Sequence, residues 1–334
     1  MGGVTAAVLA IDGGNSKTDV CLISADGQLL GYARGAGSNH QLVGLDAAFS
    51  VLAGLVSVAA AEAGIDIGTC PAQHAAVYLA GADFPREVEM LLGRVLLAGW
   101  AAEVSLDNDT FALLRAGTSA ANRIAVVCGA GINCVGVSAA GDLLRFPSVG
   151  VISGDWGGGA ALGTEALFLA VRAEDGRGQP TALREAIMQH FGTPSVVDVT
   201  AALHFGEMPR GRLHELVPVL LRVAELGDGP ARAVVDRQAE EVFLLVRAAV
   251  DRLALRDQPT DVVLGGGVLA TRHPQLIEGV SRRVAAYAPR ASLLVVDDPP
   301  VVGAALLGLD ALGASPDAEI AARAAMLART RTPT

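Results

Sequence analysis

Residues 8 to 24 read VLAIDGGNSKTDVCLIS. Val8 to Ile11 and Thr18 to Ile23 have the length and apolar, β-branched content of strands. The turn between them carries a carboxylate, two glycines, an amide, a hydroxyl and a lysine. Ser24 to Gly27 is a second polar turn and Gln28 to Arg34 a third candidate strand, so the chain opens as an antiparallel meander. Helical periodicity follows at about Leu45 to Ala63 and Pro85 to Leu97. Residues 124 to 145, IAVVCGAGINCVGVSAAGDLLR, then repeat the whole layout, and SADGQLL at 24 to 30 returns as SAAGDLL at 138 to 144. Repetition of an entire supersecondary unit predicts a duplicated domain. Two such domains, each opening on a glycine turn, predict a cleft with both turns directed at one ligand.

Composition narrows the class of that ligand. With 334 residues and 51% hydrophobic content, the chain has ample material for two domains. A formal net charge of −10 argues against a nucleic-acid surface, which would show a basic face. Cys21, Cys70, Cys128 and Cys134 form no CxxC pair, so neither a zinc cage nor a disulfide framework is expected and the thiols are read as buried. No apolar run is read as approaching the roughly 18 residues of a membrane helix. Met1 to Ala10 lacks the basic start and cleavage site of a secretory signal, so a cytoplasmic location is expected.

A tight glycine turn presents successive N–H groups to an anion and allows its close approach, which suits phosphate. Asp12 would repel a polyphosphate unless a divalent cation lay between them, so DGGNSKTD at 12 to 19 reads as phosphate plus Mg²⁺. Other nucleotide motifs fit badly. GxxxxGK[ST] is absent, and GAGINC at 129 to 134 lacks the third glycine of a dinucleotide fingerprint and leads into a strand instead of a helix.

Taken together, these segments resemble the superfamily of sugar kinases, Hsp70 and actin, and within it the group of N-acetylglucosamine kinases and BadF/BadG/BcrA/BcrD ATPases. DGGNSKTD resembles the first phosphate motif, GAGIN at 129 to 133 the second and VVLGGGVL at 262 to 269 the adenosine motif. SLDNDTFALL at 105 to 114 resembles the segment with the catalytic aspartate, SGDWGGGAALG at 153 to 163 that with a sugar-binding aspartate, and GSNH at 37 to 40 a sugar-contacting asparagine loop. The resemblance implies an α/β fold of two ribonuclease-H-like, actin-like ATPase domains in tandem around a central cleft. Their boundary is expected near residues 112 to 120: residues 1 to 117 form the first, about 314 to 330 complete it with a C-terminal helix, and 118 to 313 form the second. Gly303 to Leu307 would close the nucleotide end of the second domain.

The implied reaction moves the γ-phosphoryl of ATP to a sugar hydroxyl, usually at C6, with N-acetylglucosamine as the first-choice acceptor. Glucosamine, glucose or N-acetylmuramic acid are alternatives, and so is a partner-activating ATPase of the BadF/BadG type. A sugar-binding regulator without catalysis is disfavoured by the retention of Asp12 and Asp109. Phosphoryl transfer asks for positioning, charge neutralisation and a residue to orient or deprotonate the nucleophile. Asp109 takes that role; Asp107 is its rival, with a helix N-cap as the plainer reading of Asp107. Asp12 would hold Mg²⁺ through water. Gly13, Gly14, Asn15, Lys17 and Thr18 would face the phosphates, with a solvated turn residue as the other reading of Lys17. Gly129, Ala130, Gly131 and Asn133 form the second phosphate turn, and Gly265, Gly266 and Gly267 the adenosine site. Asn39, His40, Asn108, Asp109, Asp155 and Trp156 would meet the sugar, with a loop cap as the lesser reading of Asp155, while Trp156 reads equally as a core or interface residue. Relatives often carry Thr and Ser where Ala130 and Ile132 stand, which removes two hydroxyl donors from the second turn. The resemblance also implies a homodimer.

Overall fold

The computed structural model describes residues 6–68 and 72–331. They divide into two compact units, one drawn from Met1–Ala125, Arg145–Pro147 and Val296–Thr334, the other from Val126–Leu144 and Ser148–Val295.

The first unit is built on strands β1 (Val8–Gly13), β2 (Lys17–Ile23), β3 (Leu29–Ala36), β4 (Ala72–Leu79) and β5 (Ala101–Asp107), in the order β3-β2-β1-β4-β5. β1 pairs antiparallel with β2 and parallel with β4, so the opening meander continues into a parallel half. Helices α1 (His40–Val43), α2 (Leu45–Ala63), α3 (Pro85–Ala98) and α4 (Asp109–Gly117) fill the connections. Leu9, Ile11, Val20 and Leu22 project from one face into a core with Phe49, Leu52 and Val56 of α2 and with Leu91 and Val95 of α3. Every residue of β1 is buried, as expected of a central strand covered on both faces.

One expectation about membranes needs correction. With 19 residues and a mean hydropathy of 1.6, α2 is long and apolar enough to cross a bilayer by length and composition. Here its Phe49, Leu52, Val56 and Ala59 stripe packs on the sheet as part of the core.

The second unit repeats the plan. Strands β6 (Arg123–Cys128), β7 (Ile132–Val137), β8 (Leu143–Arg145), β9 (Thr260–Gly265) and β10 (Ala291–Val295) run in the order β10-β9-β6-β7-β8, the first unit's order read from its other edge. Between β8 and β10 lie α5 (Gly158–Glu174), α6 (Leu183–Phe191), α7 (Val196–His204), α8 (Leu216–Glu225), α9 (Gly229–Arg252), α10 (Gly267–Ala270) and α11 (Pro274–Tyr287). Cys128 and Cys134 are buried here, as Cys21 is in the first unit, and Cys70 lies outside the described residues.

After β10 the chain returns to the first unit as α12 (Pro300–Ala311) and α13 (Pro316–Arg331). Gly303 to Leu307 therefore group with the first unit instead of the second, and the return begins near residue 296 instead of 314. Glycine spacing explains the placement. A Cβ on Gly303 would sit 1.8 Å from the carbonyl of Ala112 in α4, and one on Gly308 would sit 2.3 Å from Val8 Cγ1 of β1, so α12 approaches to near backbone contact. The Arg115 side chain of α4 fastens both returning helices, donating through Nε to Asp310 at 2.8 Å and through Nη2 to Glu319.

Candidate functional site

Three charged residues stand in a row across the first unit's sheet. Asp12 of β1 is in register with Asp19 of β2, and Asp19 with Arg34 of β3, so their side chains share the face that also carries Val8 and meets α12. Asp12 is 5% exposed. Burial, followed by the negative charges of Asp109 and Asp19, pushes its carboxyl well above the usual range, against the opposing pull of Lys17 and Arg34. A buried carboxylate crowded by two others is a poor isolated anion and a good partner for a hard divalent cation. Mg²⁺ fits this donor chemistry, since it takes one or two carboxylates and completes its shell with water and phosphate oxygens. Among the described residues no group of three or more His, Cys, Asp and Glu side chains is placed to hold a metal ion.

The turn itself is held from several sides. Gly14 donates to the carbonyl of Lys17 at 2.9 Å, and Ser38 donates back to the carbonyl of Gly14 at 3.1 Å. A Cβ on Gly13 would lie 2.5 Å from Leu79 Cδ2 and from Ser38 Oγ, so any side chain there displaces both. Asn15, Ser16 and Lys17 form the exposed tip. Thr18 departs from its expected role, because it is fully buried and its hydroxyl donates to Ser38 Oγ at 2.9 Å, turned inward from the tip. Asn39 is also spoken for: Nδ2 donates to Asn15 Oδ1 at 2.7 Å while Oδ1 caps α1 by accepting from Gln41 N at 2.8 Å. It thus joins the first glycine turn to the GSNH loop. His40 follows with Nε2 at 3.7 Å from Glu87 Oε1 and a buried, unpartnered Nδ1.

Asp109 opens α4, and the helix cap is Asn108, whose Oδ1 accepts from Thr110 N at 3.0 Å. Asp107 is therefore not the cap. It accepts from Asn108 N at 2.7 Å and pairs with Arg145, whose guanidinium also lies 5.0 Å from the Phe111 ring. Asp109 keeps an accessible edge while packed protein surrounds the rest. Burial first, and then the charge of Asp83, push its pKa up to about 7. Asp83 is held in place by Asn108 Nδ2 at 2.9 Å and Gln41 Nε2 at 3.0 Å, and Gln41 also donates to Glu87 at 2.8 Å.

In the second unit the turn after β6 lies on the start of α5. Gly129 donates to Gly131 O at 2.9 Å, and the carbonyls of Gly129 and Ala130 accept from Gly159 N at 2.7 Å and Ala160 N at 2.9 Å. Gly158, at φ +78°, lets the backbones meet, since a Cβ there would be 2.3 Å from Gly131 O. Gly131 itself is exposed and a Cβ on it would meet nothing within 4 Å. The Ile132 side chain is buried in β7, so a hydroxyl at that position would be turned into the unit. Asn133 Oδ1 accepts from Cys134 N at 2.6 Å and from Ser148 Oγ at 2.5 Å. Gly265 ends β9; Gly266, at φ +85°, packs where a Cβ would be 2.5 Å from Cys128 O, and Gly267 is open and begins α10. The GAGIN turn and the glycine run after β9 are thus in close backbone approach. Asp155 accepts from Ser153 Oγ, and the guanidinium of Arg237 lies 3.8 Å from the centroid of the Trp156 ring, covering one ring face.

The model of the BadF/BadG/BcrA/BcrD ATPase family matches residues 9–308. The chain belongs to this family. Among curated relatives, the N-acetylmuramic acid/N-acetylglucosamine kinase of Clostridium acetobutylicum is 26% identical over 262 residues, 78% of this chain and 85% of the relative. The N-acetyl-D-glucosamine kinase of Dictyostelium discoideum is 25% identical over 311 residues, 90% and 97% of the two chains. A solved structure from Chromobacterium violaceum, provisionally assigned as an N-acetylglucosamine kinase, matches with a TM-score of 0.72 at 23% identity over 92% of this chain and 99% of that one. At that identity the likeness establishes the fold, the two-domain α/β architecture of actin-like ATPases.

In this BadF/BadG/BcrA/BcrD member, several site neighbours escape a reading of motifs. Asp83, Arg34, Gln41, Arg145 and Gln238 lie outside any glycine signature. Gln238, in the middle of α9, accepts from Gly158 N at 3.0 Å and so holds the start of α5 beside the second turn. Only the pairing of distant segments reveals them.

Proposed function

We propose that this family member is an ATP-dependent kinase that phosphorylates an amino sugar at its C6 hydroxyl, with N-acetylglucosamine as acceptor. Family membership and the relatives above, all called amino-sugar kinases, support the reaction class. The observation that carries it is Asp109: a carboxylate at the head of α4, still accessible, whose pKa near 7 suits a base that must take a hydroxyl proton at neutral pH.

In this reading Asp109 orients the acceptor hydroxyl and receives its proton. Asn108 and Asp83 tie the first turn of α4 to Gln41 of α1. Asp12 holds Mg²⁺ through water, and the bound ion supplies neutralising charge to the transferring phosphoryl group. Asn15 and Lys17 present donors at the first turn, and Gly131 and Gly267 leave open backbone for phosphate and nucleoside in the second unit. Asn39 and Asp155 are assigned to sugar hydroxyls, Asn39 through its tie to Asn15. The C6 position and the homodimer rest on the family resemblance.

Glucosamine, glucose and N-acetylmuramic acid remain alternative acceptors. The partner-activating ATPase reading is less well supported, because the sequence has no CxxC pair and, among the described residues, Cys21, Cys128 and Cys134 are buried. The test is ADP release by purified protein with MgATP against N-acetylglucosamine, glucosamine, glucose, N-acetylmannosamine and N-acetylmuramic acid, with Asp109→Asn alongside. Turnover stimulated most by N-acetylglucosamine and lost in the variant is expected; absence of any sugar-stimulated turnover overturns the reading.

A further inference from the structure

We propose that Arg34 is a second phosphate-binding cation of the first glycine turn, presented together with Lys17 by the buried carboxylate of Asp19, which acts as their positioning residue; this rests on the ATP reading above. Asp19 is fully buried. Its Oδ1 accepts from Tyr32 Oη at 2.5 Å and Arg34 Nε at 2.6 Å, and its Oδ2 from Lys17 Nζ at 3.1 Å and Arg34 Nη2 at 3.2 Å. Burial alone would raise its pKa, but the Arg34 and Tyr32 hydrogen bonds and the two cations outweigh that and hold it below the ordinary value, so it stays ionised.

One carboxylate here gathers two cations, and the cluster carries a net positive charge. Both cations keep solvent-facing surface, with side chains 47% and 40% exposed for Lys17 and Arg34. Arg34 engages Asp19 through Nε and Nη2, which leaves Nη1 for an anion, and a guanidinium fork suits phosphate oxygens. The location is set by the backbone: the segment leaving β3 is zipped onto the glycine turn, with Ser38 N bonded to Gly14 O and Gly37 so close that a Cβ would lie 2.1 Å from Asn15 O. The register row Asp12, Asp19, Arg34 brings the guanidinium to the same face as Asp12, and its charge is felt there.

The experiment is titration calorimetry of ATP, ADP and adenosine on wild type, Arg34→Gln, Arg34→Lys and Tyr32→Phe, with circular dichroism to confirm folding. Loss of a charge-assisted contact should weaken ATP and ADP about tenfold or more in Arg34→Gln while adenosine binds as before. Arg34→Lys should recover part of that loss. Tyr32→Phe, which strips a donor from the same carboxylate but keeps both cations, should stay within about threefold. Equal weakening of ATP and adenosine, or no weakening of either, overturns the assignment of Arg34 while leaving the ATP reading intact. Wild-type protein that binds no nucleotide overturns both.

Discussion

Asn108 donates a 2.9 Å hydrogen bond from Nδ2 to Asp83 Oδ1 while its own Oδ1 caps α4 at Thr110 N. One amide therefore couples the start of the helix that carries Asp109 to the acid whose charge raises the Asp109 pKa. Asparagine suits this position because both ends of its amide are used, one as acceptor and one as donor.

Replacing Asp83 by Asn removes a like charge from beside Asp109 while keeping most of the shape. The acid limb of the kcat profile, set by Asp109 near 7, is expected to move down by about one pH unit, since neighbouring charges shift carboxyls by about that much or more. A pH profile of sugar-stimulated ADP release reads this. An unmoved limb would show that burial alone sets the base.

Asp109→Asn should abolish turnover by about 10²–10⁴-fold, the usual worth of a positioned base. It should also stabilise the fold at high pH. Because the folded pKa is raised, the ionised carboxyl opposes folding: stability from this group is full below the unfolded value near 4 and is lost as pH rises through about 7. Melting temperatures at pH 8 should therefore rise by about 4–8 °C in the variant, for a gain of ~2 kcal/mol, and the difference should vanish toward pH 4. A variant less stable than wild type at pH 8 would contradict the buried-acid account.

Gly131 and Gly266 separate ligand approach from folding. A valine at 131 meets no protein atom within 4 Å of its Cβ, so Gly131→Val should fold with near wild-type stability and lose nucleotide affinity. Gly266→Val places a Cβ at positive φ and 2.5 Å from Cys128 O, and should cost about 3 kcal/mol or more in thermal or urea unfolding. Full ATP affinity in Gly131→Val would show that phosphate does not approach this turn.

Gly303→Val tests the return of the chain into the first unit. Its Cβ would lie 1.8 Å from Ala112 O, so α12 must lift from α4 and strain the Arg115 links to Asp310 and Glu319. Urea unfolding should show a loss of about 3 kcal/mol or more, and Gly313→Ala, at a helix end with no neighbour within 4 Å, should lose far less. Equal losses would mean that backbone conformation, not the α12–α4 contact, governs this segment.

Much of the fold was legible locally. The strand pair around Asp12, the helix spanning Leu45–Ala63 and the repeat at 124 to 145 all show in apolar period and glycine turns, because those signals depend on neighbours a few residues away. The candidate site residues that come from contiguous motifs are Asp12, Asn108, Asp109, the open Gly131 and Gly267. A motif misleads where a side chain's direction depends on remote packing. Thr18 shows a hydroxyl in a phosphate-like turn, yet the strand register sends it inward to Ser38.

By itself, then, the sequence determined that this is a duplicated α/β chain with glycine turns suited to phosphate and an acid at the head of a helix, since period, turn chemistry and capping are local properties. Tertiary structure alone decided that Asp83 raises Asp109, that Lys17 and Arg34 share the carboxylate of Asp19, and that α12 belongs with the first unit. Charge coupling and close packing act through space between segments tens to hundreds of residues apart, and no local pattern encodes those distances.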